Sequence, residues 1–207
     1  MPDVKPPRRR DRAATRTTIV DAARDLFRDQ GYARTTITDI ATRAAVAPQT
    51  VYWAFGSKAA LVREIRETWL QTAQTGERMQ AVLAIAEPEP RLDAYAAFMA
   101  RQWVTGAEAV AIQQDAMRVD PDVAMDVAAT LDARAAALFE VVRPLGPVLA
   151  GDLTVEGAHD RLLALSLVEV YLELRARGWT PEAYERWLAE TLRSQLLVTA
   201  RFVSDRR

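Results

Sequence analysis

The sequence predicts an all-α fold, and three observations carry that expectation. Alanine, the strongest intrinsic helix former, occurs 38 times among 207 residues. Glycine and proline number only 8 and 10, and they fall in clusters that leave long stretches free of breakers. No run of β-branched and aromatic residues alternates between turn signals, as a half-buried strand would require. At 50% hydrophobic and 27% charged residues, the composition is that of a folded globular chain, not a disordered one.

The helices follow in order. Residues 1–12 carry Arg8, Arg9, Arg10 and Arg12 among three prolines and read as a flexible basic arm. From Thr15, a stripe of Ile19, Ala22, Ala23, Leu26 and Phe27 predicts a first helix stopped by Gly31. Thr36 and Asp39 have the spacing of a capping box, which opens a short helix from Ile37 to about Ala44. Pro48 suits the first turn of a third helix, and Gly56 closes it soon after Ala54. Ser57 then caps a fourth, from Lys58, with Leu61, Ile65, Trp69 and Thr72 inward. Three short helices, the last two joined by a tight turn, make a helix-turn-helix layout over residues 13–60.

Residues 61–207 read as a second, larger helical domain. One helix carries Leu92, Tyr95, Phe98, Met99 and Trp103 and ends at Gly106, with another over 107–119. Asp120-Pro121 opens the next, with Val123, Val127, Leu131, Leu138 and Val142 inward. Thr154 caps a long helix to about Arg177, and Thr180-Pro181 starts the last, to about Val203. Apolar residues cover nearly the whole circumference of the helix over 154–177, so a second subunit is the economical cover. The expected homodimer face is Leu163, Leu167, Val170, Leu174, Trp187, Leu188, Leu192 and Leu196.

Several chemistries drop out. The absence of cysteine excludes disulfides, zinc fingers and thiol nucleophiles. A single histidine, His159, leaves its Glu156-x-x-His159 spacing without the second pair that a di-iron bundle needs. No phosphate loop or nucleophile elbow is present, so the chain reads as a non-enzyme without metal or cofactor. Apolar runs fall well short of the roughly 20 residues of a membrane helix, and no signal peptide opens the chain, so a cytoplasmic protein with no membrane partner is expected. Net charge −1 conceals a split. Residues 1–66 hold 13 basic against 7 acidic side chains, and residues 67–207 hold 14 against 21. A basic end on an acidic body suggests that one end meets a polyanion.

Gly31-Tyr32, Thr35-Thr36-Ile37, Asp39-Ile40-Ala41, Ala44-Ala45-Val46, Thr50-Val51-Tyr52 and Phe55-Gly56-Ser57-Lys58, followed by Leu61, resemble the DNA-binding domain of the TetR/AcrR family of bacterial transcriptional regulators. The likeness spans roughly residues 15–65. It implies an all-helical homodimer whose two heads grip a palindromic operator, with a small molecule in the larger domain releasing the DNA. On this reading Pro48 to Ala54 is the recognition helix, which leaves Gln49, Thr50, Tyr52 and Trp53 outward and Val51 and Phe55 inward. Glutamine can bond an adenine edge bidentately, and a threonine methyl can meet a thymine methyl. The resemblance gives Tyr52, Thr35, Thr36 and Lys58 to backbone phosphates, beside Pro48 at the helix start. Lys58 stands out because only two of the 27 basic residues are lysines. Ala45 replaces the family's turn glycine, so it must turn left-handed or the turn must differ. Ala47 replaces a capping hydroxyl. The arm either enters a minor groove or adds nonspecific attraction.

For the effector, Trp69, Phe98, Trp103, Met117, Met125, Phe139 and Tyr171 are the candidate apolar lining, with Gln102 and Gln113 to orient it. That lining suits a largely neutral, hydrophobic or aromatic molecule. The alternative is a helical small-molecule or protein-binding module without a DNA function.

Overall fold

The computed structural model describes residues 9–198, with side chains from residue 12 onward. These residues form α1 (Arg9–Gln30), α2 (Ile37–Arg43), α3 (Pro48–Phe55), α4 (Lys58–Thr72), α5 (Thr75–Leu83), α6 (Pro88–Met117), α7 (Pro121–Val142), a 3₁₀ turn (Arg143–Val148), α8 (Val155–Leu165), α9 (Val168–Ala176) and α10 (Pro181–Leu196). The all-α class is as the sequence predicts. No helix among the described residues is long and apolar enough to cross a membrane.

Two compact units divide the chain, and neither is one continuous segment. The first takes residues up to Trp69 together with Glu108–Ala128. The second takes Leu70–Ala107 and residues from Ala129 on. The expected cut at residue 61 therefore falls inside α4, whose Leu61, Val62 and Ile65 are buried in the first unit's core. That core joins Ile19, Ala23 and Phe27 of α1, Ile40 of α2 and Val51 of α3 to Ile112, Ala116, Val123 and Val127.

Several boundaries differ from expectation, each for a local reason. α1 begins at Arg9 rather than Thr15, so residues 9–12 of the expected arm are helical. The rest of the arm, with Arg8, lies outside the described residues, and the last helix stops at Leu196 rather than about Val203, because Leu197 turns extended and bridges to Leu149. Gly106 does not stop a helix: it is buried inside α6, where close packing offsets its roughly 1 kcal/mol propensity cost. A break the sequence reading did not place separates α4 from α5, at Gln74 in left-handed backbone just before Gly76. Thr72 and Leu131, expected inward, are exposed.

The helix expected over 154–177 is two. Ser166 sits fully buried at the junction of α8 and α9. Its Oγ donates to the Leu162 carbonyl at 2.5 Å and accepts the Tyr95 hydroxyl at 2.8 Å. Arg134 Nη2 donates to the Ser166 carbonyl at 2.9 Å. A serine that bonds back to the preceding turn competes with the helix ladder, and the arginine satisfies the carbonyl thus freed. Tertiary partners hold the break open.

Candidate nucleic-acid interface

The head is built from its turns. At the N-terminus of α2, Thr36 Oγ1 accepts the Asp39 amide at 3.1 Å, and the Asp39 carboxylate accepts the Thr36 amide at 2.9 Å and its hydroxyl at 2.7 Å. Both halves of the predicted capping box are formed. The Thr36 hydroxyl and amide bonds hold the Asp39 carboxyl below its usual range.

The turn into α3 closes as a Schellman motif. Ala45 donates to the Thr42 carbonyl at 3.2 Å and Val46 to the Ala41 carbonyl at 2.9 Å. That geometry puts Ala45 at φ 53°, so the alanine takes the left-handed conformation a glycine adopts freely. Ala47 provides no side-chain cap, and Pro48 sits at the first turn, where its missing N–H costs nothing. At the other end, Arg16 Nη1 donates to the Ala54 carbonyl at 2.5 Å, with Nη2 on Glu64 at 2.9 Å. The same guanidinium lies 4.3 Å from the Phe55 ring centre. One arginine thereby anchors the last turn of α3 to α1 and α4.

Val51 is buried and Phe55 half-buried against the core, which turns the opposite face of α3 outward. Trp53 is 80% exposed, Tyr52 and Gln49 are exposed, Thr50 is half-buried, and Pro48 is exposed at the helix start. The inward and outward sets are as the sequence predicts. No acidic or basic residue lies on α3 itself. Its outer face offers an amide, hydroxyls and an aromatic ring, which suit base edges better than phosphates.

Two expected phosphate contacts are already engaged. Thr35 is only 1% exposed, and its hydroxyl donates to the Gly31 carbonyl at 2.9 Å while accepting Gln30 Nε2 at 3.2 Å. It serves the loop and not an external anion. Lys58 Nζ donates to the Tyr32 carbonyl at 2.9 Å and the Thr35 carbonyl at 3.0 Å, and sits 3.9 Å from the Tyr32 ring centre. Burial pulls the Lys58 pKa down, with Asp120 opposing. An ammonium has three N–H donors, so one remains. Sequence reasoning also missed Arg34, in the loop before α2, and Arg43, in its last turn, exposed cations whose only advance signal was the head's positive balance.

The loop between α1 and α2 is clasped from α6 and α7. Asp115 accepts the Tyr32 amide at 2.7 Å, and a Cβ at Gly31 would lie 3.3 Å from that carboxylate. Gly31 has φ 84°, so position 31 needs glycine for both conformation and approach. The Tyr32 hydroxyl donates to Asp120, which also accepts the Asp122 amide at 3.0 Å as the cap of α7. Asp126 is bonded by Arg66 and by Arg63.

The expected effector residues divide between the two units. Trp69, Gln113, Met117 and Met125 belong to the first unit, where Trp69 packs on the head core and both methionines are exposed. Phe98, Gln102, Trp103, Phe139 and Tyr171 belong to the second unit. There, Gln102 accepts the Thr75 hydroxyl at 2.9 Å. Phe139 meets the edge of His159, whose Nε2 donates to the Ala135 carbonyl at 2.8 Å. A cleft of about 640 Å³ runs along α5, α6 and the start of α10, and of the nine candidates only Phe98 lines it.

The expected dimer face also divides. Leu188, Leu192 and Leu196 are fully buried within this single chain, where they build the second unit's core and are not available to a partner. Leu167 and Leu172 are exposed, while Leu163, Val170, Leu174 and Trp187 are half-buried.

A family profile described as bacterial regulatory proteins, tetR family, matches residues 19–65. Over 58 residues the chain is 41% identical to the HTH-type transcriptional regulator TtgR of Pseudomonas putida, a stretch that spans 28% of this chain and 28% of TtgR. Among solved structures, NalD, the secondary repressor of the MexAB-OprM multidrug efflux pump in Pseudomonas aeruginosa, aligns over 92% of this chain and all of its own at TM-score 0.71 and 23% identity. A SmeT–triclosan complex aligns over 92% of this chain and 95% of its own at TM-score 0.72 and 18% identity. These two establish a shared fold through both units, whereas sequence kinship rests on the head. The likeness to the tetR family of bacterial regulatory proteins therefore covers the head, residues 19–65, and the chain spans less than a third of the length of the curated relatives it matches.

Proposed function

We propose that the chain is a sequence-specific repressor that binds a palindromic operator as a homodimer and leaves it when a small hydrophobic molecule occupies the second unit. The observation that carries this reading is α3: a helix of two turns held at both ends, with Gln49, Thr50, Tyr52 and Trp53 presented on its free face. Gln49 and Thr50 read base edges, and the ring of Trp53 meets thymine methyls. Tyr52, Thr36 and the third N–H of Lys58 position the helix on phosphates. Arg34 and Arg43 add cations beside them.

The structural neighbours support the regulatory half: NalD and SmeT are both repressors of multidrug efflux pumps, and SmeT forms a complex with triclosan. Exposed Leu167 and Leu172, with Leu163, Val170, Leu174 and Trp187 half-buried on the same three helices and the turn between them, support dimerisation through α8–α10. The test is enrichment of duplexes from a random pool by the full chain, followed by titration of the selected site. The expected result is an inverted repeat with half-sites about one helical turn apart or a multiple of it, bound by two chains. Binding that saturates without sequence preference would refute the proposal.

A further inference from the structure

The outer face of α3 has a chemical bias that bears on which base pairs it can read. Gln49, Tyr52 and Trp53 are exposed on it and Thr50 is half-buried, and none of the 8 residues of the helix is charged. Arginine and lysine are the commonest readers of guanine, through its O6 and N7, while aspartate and glutamate accept from the cytosine amino group. Neither type is present on α3. Its side chains fit the other base pair. A glutamine amide matches N6 and N7 of adenine, and a threonine methyl or an aromatic ring meets the methyl of thymine.

The charged groups nearest the helix are engaged or stand outside it. Arg16 gives Nη1 to the Ala54 carbonyl and Nη2 to Glu64, and lies over the Phe55 ring. The Asp39 carboxylate is closed on the amide and hydroxyl of Thr36. Lys58 Nζ faces the carbonyls of Tyr32 and Thr35, and Arg34 Nε bonds the Gln30 carbonyl. Arg43 belongs to the last turn of α2.

Trp53 adds a second observation. At 80% it is the most exposed large hydrophobic side chain among the described residues. A phosphate offers nothing to the face of an indole. A thymine methyl offers apolar contact, and the indole N–H, a donor only, finds its acceptor in thymine O4.

We infer that the base pairs beneath α3 are A·T, and that Trp53 sets this preference by packing on thymine C5 methyls. The inference rests on the proposal that α3 enters the major groove, and it names the class of sequence read there.

The test starts from the duplex that the full chain selects out of a random pool. The base pairs beneath α3 are those at which Gln49→Ala or Trp53→Ala relaxes the selected motif, and they are expected to be A·T. Each thymine among them is then replaced in turn by uracil, which removes one methyl and keeps the pairing. At the contacted thymine the parent should bind about fourfold more weakly, the effect of one methyl left unburied, and about 15-fold more weakly when both half-sites are changed. Trp53→Ala should bind the thymine and uracil duplexes alike, and Trp53→Phe should recover part of the difference. Both variants should melt with the parent, because the side chain is exposed.

G·C pairs at the relaxed positions would overturn the inference, as would a parent that binds every uracil duplex as tightly as thymine. A uracil penalty that survives in Trp53→Ala would also overturn it, since the methyl would then meet another group. A G·C motif leaves the proposed repressor standing. Binding without sequence preference, or a motif that neither variant relaxes, would instead remove the reading by α3 itself.

Discussion

Tyr32→Phe removes one hydroxyl and tests the clasp on the recognition head. The residue is almost fully buried, its ring packs on Phe27 at 5.2 Å and under Lys58, and its hydroxyl donates to Asp120. Phenylalanine keeps the ring, so the loss is the bond to a carboxylate, worth about 1.5–3 kcal/mol when desolvated. Asp120 is more open than Tyr32, and water can solvate it once the phenol is gone. That screening places the expected cost near 1–1.5 kcal/mol, or about 2–6 °C in melting temperature for a chain of this length. The pH dependence has a definite sign. The Tyr32 hydroxyl holds the Asp120 carboxyl below its usual range, with the backbone bonds of α7 and Lys58 adding to that and burial opposing it. A depressed carboxyl contributes stability that is present above its unfolded value near 4 and is lost as pH falls through the folded one. Thermal melts by circular dichroism at pH 7 and pH 3 measure both effects. The parent–variant gap should narrow at the lower pH. A variant that melts within a degree of the parent at pH 7, or a gap that widens on acidification, would refute the clasp.

Three further outcomes are expected. Ala45→Gly should stabilise the chain by about 0.5–1 kcal/mol, the relief of left-handed strain less the added freedom of the unfolded chain, as read by urea unfolding. Arg16→Met should weaken selected-site DNA binding more than it lowers overall stability, because Arg16 holds the last turn of α3 through the Ala54 carbonyl; equal effects on random and selected duplexes would argue against that role. Leu167→Glu, at an exposed leucine, should shift sedimentation toward a 23 kDa species without loss of helical signal; an unchanged dimer would move the interface elsewhere.

The head was legible because its signals are local. Gly31, the Thr36–Asp39 pair, Pro48 and Gly56 each act within four residues, and each stands where the punctuation placed it. What escaped was tertiary. The break at Ser166 depends on Tyr95, 71 residues away, and on Arg134, so a run of leucines looked like one helix. Gly106 resembled a stop because its burial inside α6 has no mark in the sequence. Thr35 and Lys58 kept the family's residue types, but the carbonyls that engage them are set by the fold of the 31–35 loop. Leu188, Leu192 and Leu196 were assigned to a partner because hydrophobic width alone does not say which copy of the chain does the covering.

The central claim is that α3 reads DNA, and Gln49 tests it most directly. The residue is exposed on α3 and bonds nothing else among the described residues, so Gln49→Ala changes neither core nor caps. Selection from a random duplex pool with parent and variant in parallel should relax the preference at one base pair in each half-site, with a cost of about 1–3 kcal/mol there and the rest of the motif retained. An identical motif and affinity from both proteins would contradict the placement of α3 against base edges.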